Sequence, residues 1–163
     1  VLSTSVTEGQ TEVPLNARLR VRFSESMLAV SQNLVQLSSS VGNLPVSYSW
    51  NSDRTLLTLT PKQLLDSQTI YTLDIGAIVD ISGNSVLEQQ ISFTSGISID
   101  TRAESTTSYS LASNARDVPL NPSIEFTLNG PVDPATVSGN EVYLLDYDGT
   151  RARVSAEVSL SND

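Results

Sequence analysis

The chain of 163 residues contains no cysteine and no histidine. The first absence removes a disulfide framework and thiol chemistry. The second removes the commonest general base and the commonest transition-metal ligand. Serines are numerous, but a serine hydroxyl without a base beside it is a poor nucleophile. Nothing in the spacing of Glu25, Asp53, Asp80 and the other acids pairs two carboxylates in one cleft for glycoside chemistry. We expect no catalytic residues and no enzyme. Cations are scarce too: lysine occurs once, and nine Lys and Arg against eighteen Asp and Glu leave a net charge of −9. Nucleic acid and anionic membrane need cationic side chains to neutralise phosphate, so neither is an expected partner. No apolar run is long enough for a spanning helix, and no membrane insertion is expected. The chain starts at Val1 with neither an initiator Met nor a signal peptide, and is expected to be a piece of a longer polypeptide.

What is present is strand chemistry. Apolar residues make up 39% but aromatics only 6%, and the abundance of Ser and Thr suits short half-exposed strands rather than helices. Arg18 to Phe23 alternates strictly, with Leu19, Val21 and Phe23 on one side and three arginines on the other. Period two predicts a strand whose arginine face is solvated. Further strands are expected at Leu2 to Val6, Leu34 to Ser38, Pro45 to Trp50, Thr55 to Thr60, Thr69 to Gly76 and Gln89 to Thr94, with one helical turn over Met27 to Gln32. Seven short strands in a stretch of this length predict an all-β, Ig-like antiparallel β-sandwich. Leu65 stands six residues before Tyr71, the spacing of a tyrosine corner, in which the phenol bonds to backbone upstream and pins a loop between sheets.

The chain also repeats itself. Thr11 to Ser26 (TEVPLNARLRVRFSES) resembles Arg116 to Pro131 (RDVPLNPSIEFTLNGP), and Ala29 to Leu37 resembles Thr136 to Leu144. The outward alternation recurs as Ser123, Glu125 and Thr127 against Ile124, Phe126 and Leu128. The expected domains are 1–97, a complete seven-stranded module, and 98–163, the N-terminal half of a second one. On the pattern of the first module the second stops three strands short, through a cut or through completion by a swapped neighbour. Divided after Ile97, the first part holds 8 acids and 5 bases and the second 10 acids and 4 bases, giving −3 and −6.

The order of motifs carries a resemblance. V-P-L-N, then Phe23-Ser24-Glu25, Leu57 to Pro61 (LTLTP), Leu65-x5-Tyr71, Asp80-x-x-Gly83-Asn84 and Phe93-Thr94 together resemble the bacterial Ig-like domain of S-layer and other large surface proteins. In the second copy Pro131 to Thr136 (PVDPAT) fits that family's turn more closely than Ser26 to Val30 does. Fibronectin type III shares the L-x5-Y corner and is the nearest competitor. The resemblance implies an extracellular or cell-surface bacterial module, strung in tandem as a spacer or scaffold. Its implied partners are neighbouring Ig-like modules of the same polypeptide, and it implies no catalytic residues. Two other roles stay open. One is an adhesin-type module binding glycan or protein through end loops, where Tyr109, Tyr143 and Tyr147 are the available aromatics. The other is an accessory domain flanking a catalytic domain.

Three acidic spots are candidates for calcium, although no cofactor is expected. Asp80 to Asn84 reads as a turn, since Gly83 accepts positive φ and Asp and Asn side chains bond nearby backbone. Calcium wants six to eight oxygens, and the acid after Asp80 is Glu88. Asp146 and Asp148 sit in a D-Y-D-G hairpin signal. Asp100 and Glu104 lie at the junction of the two modules, where carboxylates from adjoining domains can converge on one ion.

Overall fold

The computed structural model describes residues 1–130, 132–137, 142–146 and 150–161. Contacts divide the chain into two compact units, Val1–Asp100 with Asp133–Asp163, and Thr101–Val132. The first unit opens with β1 (Ser3–Thr4), β2 (Gln10–Val13) and β3 (Leu19–Arg22). A 3₁₀ turn (Ala29–Leu34) leads to β4 (Val35–Ser39), β5 (Gly42–Asn43), β6 (Val46–Trp50), β7 (Leu56–Pro61), β8 (Ile70–Ile75) and β9 (Gln89–Ser95). One sheet has the order β1-β3-β7-β6 and the other β2-β9-β8-β4-β5.

The alternating residues explain why two sheets close on each other. Leu19 and Val21 of β3 lie opposite Leu59 and Leu57 of β7. In the other sheet Leu37 and Leu73 are paired, as are Leu73 and Ile91, and Tyr71 and Phe93. These side chains belong to one buried cluster together with Val6, Val13, Phe23, Met27, Val35, Leu65, Ile75 and Ile78. β6 is an edge strand and buries only half its apolar face. Its tip is tied inward instead: the Trp50 ring lies 5.9 Å from Phe23, Trp50 Nε1 donates to Gln32 Oε1 at 2.9 Å, and the Tyr48 hydroxyl donates to the Val35 carbonyl at 2.8 Å. Burial pushes the Tyr48 phenol up from its ordinary pKa. The tyrosine corner is formed as expected: Tyr71 is 1% exposed, and its hydroxyl accepts from the Asp66 backbone N–H at 2.9 Å.

Three features differ from the sequence-based expectation. The strand expected over Leu2 to Val6 is realised as β1, and a strand that was not expected, β2 at Gln10–Val13, follows it in the other sheet. β1 pairs antiparallel with β3, the chain turns at Gly9 (φ +73°), and β2 then pairs parallel with β9. The N-terminal segment thus joins both sheets through two successive strands, and the sandwich contains one parallel pair. The helical turn sits two residues later than expected, over Ala29–Leu34. The arginine face of β3 is not uniformly wet. Arg18 is exposed, but Arg20 is half-buried and Arg22 is 8% exposed, because residues 133–137 of the same unit lie over them.

In the remainder of the first unit, a second 3₁₀ turn (Pro134–Thr136) precedes a short hairpin, β12 (Leu144–Leu145) with β13 (Arg153–Val154). The unit Thr101–Val132 holds one antiparallel hairpin, β10 (Thr106–Tyr109) with β11 (Phe126–Leu128). Here the inward row expected from the repeat is not realised: Ile124 and Phe126 are exposed. Leu19, Val21 and Phe23 are buried by a facing sheet, whereas among the described residues of 101–132 there is one hairpin and no second layer.

Candidate functional site

The acidic turn that follows β8 is closed by its own backbone. Gly83 takes φ +88° with open space where a Cβ would stand. That lets Asp80 Oδ1 accept from the N–H groups of Ser82 and Asn84 at 2.7 and 2.8 Å. Oδ2 accepts from the Asn84 side-chain amide at 2.9 Å, and the Asp80 N–H donates to the Asn84 carbonyl at 2.9 Å. Both carboxylate oxygens are therefore engaged by donors of the same turn. Asp80 is 2% exposed, and its main-chain bridge to Met27 fastens the turn to the stretch after β3. The Asn84 amide, followed by the backbone N–H groups, holds the Asp80 carboxyl below its ordinary 3.8, against the opposing effect of burial.

The sign of the pH dependence follows. A carboxylate with a depressed folded pKa contributes stability that is complete above its unfolded value and lost as pH falls through the folded one. Asp80→Asn is expected to lower the melting temperature at pH 7 by several degrees. The gap to the wild type should then narrow as pH falls below the ordinary 3.8. Circular-dichroism melts across that range check it; a gap that stays constant with pH would show that the charge of Asp80 is not what holds the turn.

The other candidates lie elsewhere. Asp100 belongs to the first unit, where Asn16 brackets its backbone: Asn16 Nδ2 donates to the Asp100 carbonyl at 2.7 Å and the Asp100 N–H donates to Asn16 Oδ1 at 2.9 Å. Glu104 belongs to the other unit, where its carboxylate lies against the Gly130 backbone. Asp146 is exposed at the end of β12, its N–H donating to the Ala152 carbonyl at 2.8 Å. Asp148 lies outside the described residues, as does Tyr147. Among the described residues no three acidic, His or Cys side chains gather as a metal site. Tyr109 is exposed on β10, and the Tyr143 ring carries the Arg153 guanidinium 4.0 Å from its centroid.

One concave surface is present that the sequence did not signal. An open cleft of about 390 Å³ lies where β5 and the 61–66 stretch meet, lined by Val41, Leu44, Pro45, Leu64, Asp66 and Tyr71. Its walls come from loops far apart in sequence, so no local motif marks it. Lys62, the lysine of the chain, also lines it.

A sandwich with this strand order and corner has a counterpart by sequence: a model of the bacterial Ig-like domain matches residues 1–95. The chain belongs to the bacterial Ig-like domain family. No curated protein matches it by sequence. Among solved structures it is similar to CopC from Methylosinus trichosporium OB3b at 14% identity and a TM-score of 0.45, covering 58% of this chain and 89% of that one. It is also similar to L,D-transpeptidase 3 from Mycobacterium tuberculosis (18% identity, TM-score 0.42), covering 58% of this chain and 36% of that one. A third is the surface layer protein SbsC, domains 1–6 (13% identity, TM-score 0.44), covering 70% of this chain and 16% of that one. The chain thus spans little more than a third of the transpeptidase and a sixth of the surface-layer chain. In this bacterial Ig-like domain Asp80 to Asn84 form a self-satisfied turn, and Tyr71 pins the loop before β8. No helix among the described residues is long and apolar enough to cross a membrane.

Proposed function

We propose that this bacterial Ig-like domain is a non-catalytic spacer and scaffold module of an extracellular or cell-surface protein, with neighbouring modules of the same polypeptide as its partners. The observation that carries the reading is where the chain enters and leaves the sandwich. The Leu2 N–H donates to the Arg22 carbonyl at 2.8 Å, and Arg22 faces Leu56 beside the 51–55 turn. The chain leaves at Ser95, whose hydroxyl donates to the Asp66 carbonyl at 2.5 Å, beside the loop that follows Pro61. β7 runs from Leu56 to Pro61, so the two ends of the module lie at opposite poles, separated by a strand of roughly 20 Å. A module that buries its own core and presents its termini at opposite poles can be strung end to end without changing its fold. The acidic surface adds mutual repulsion between copies, which favours extension over aggregation.

Small-angle scattering on chains of one, two and three copies of residues 1–100 tests this. The maximum dimension is expected to rise by about one sandwich length with each copy. A dimension growing only as the cube root of mass would sink the spacer reading.

A further inference from the structure

We propose that Arg20 and Arg22 form a receiving face for an acid-Pro-Ala-Thr turn, and that its occupant is residues 133–136 of the same chain. The two guanidinium groups stand on the outer side of β3, two residues apart, so period two aims both at one surface. Each takes a different acceptor from the turn. Arg20 Nη1 donates to Asp133 Oδ2 at 2.6 Å, and Arg22 Nε donates to the Ala135 carbonyl at 2.6 Å. The small side chain between them fits flush: Ala135 is 0% exposed. Ser3 on the adjoining β1 adds a longer contact from its hydroxyl to the Pro134 carbonyl at 3.5 Å.

The turn is also held in this shape by bonds of its own. Asp133 Oδ1 accepts from the Ala135 N–H at 2.9 Å and leaves Oδ2 for Arg20. The Asp133 carbonyl accepts from the Thr136 hydroxyl at 2.8 Å and the Thr136 N–H at 3.0 Å, and Pro134 presets the first position of the turn. At the repeat-equivalent position the first module has Ser26 and Met27, with neither acid nor proline. Only the second copy of the turn therefore carries the groups that match the arginines. The contact ties residues 133–136 to β3 within their own unit. This clamp goes beyond the spacer reading and does not depend on it.

Amide hydrogen exchange of Ala135, Thr136 and Val137 in the full chain tests the clamp. Arg20→Gln changes only the receiving face, and Asp133→Asn keeps the capping oxygen while removing the charge. Each is expected to speed exchange of these amides by about fivefold, and the double variant to be no faster than either single one, because both remove the same interaction. Added salt should speed exchange in the wild type and not in Arg20→Gln. Trp50 emission, reporting the sandwich core, shows in the same samples that the module is folded. Exchange unchanged in Arg20→Gln, or effects that simply add in the double variant, would overturn the proposal.

Discussion

Truncating Leu73 to alanine is expected to cost about 2–5 kcal/mol, out of the roughly 5–15 kcal/mol that holds a domain of this size. Leu73 is 0% exposed and sits at the centre of its sheet, paired with Leu37 on one side and Ile91 on the other. No apolar neighbour can move into the gap without breaking that register, so both the transfer and the cavity contributions are lost. For a sandwich of about a hundred residues the melting temperature should fall by about 10–30 °C. Thr72→Ala, one position along and on the outward side of the same strand, serves as the control and should change it little. If Leu73→Ala and Thr72→Ala behave alike, the period-two division into core and surface is wrong, and the sandwich with it.

The second large effect concerns force. β2 runs parallel to β9, so pulling the chain start one way and the chain after Ser95 the other slides the two strands past each other. The bonds from Gly9 N–H to the Ser92 carbonyl (2.8 Å), Gly96 N–H to the Val13 carbonyl (2.8 Å) and Leu15 N–H to the Ser98 carbonyl (3.0 Å) are then loaded together. By contrast, pulling Ser47 from Thr60, which face each other at the edge pair of β6 and β7, opens bonds one after another. The chain lacks cysteine, so introduced thiols make unique handles. Single-molecule pulling through Leu2→Cys and Ile99→Cys should require several-fold more force than pulling through Ser47→Cys and Thr60→Cys. Equal forces in the two geometries would remove the mechanical basis for a load-bearing spacer.

Both expectations show what could be read without coordinates. The burial of Val21, Leu57, Leu59 and Leu73 follows from alternation alone, because successive side chains of a strand point to opposite faces. The tyrosine corner was legible for a similar reason: L-x5-Y places a phenol and the backbone it binds within one loop. The Asp80 turn was legible because every donor it needs lies within four residues. The cleft beside Tyr71 was not, since its walls come from separate loops.

The sequence by itself determined which apolar residues of the first module's strands face inward, where the Asp80 turn and the tyrosine corner fall and which chemistries lack their functional groups. These depend on side-chain identity and on contacts only a few residues apart. Tertiary structure alone decided that a further strand forms at Gln10–Val13 and pairs in parallel with β9, and that Arg20 and Arg22 lie under the turn at 133–136 rather than in water. Alternation assigns a residue to a face, but what covers that face is settled by chain more than a hundred residues away.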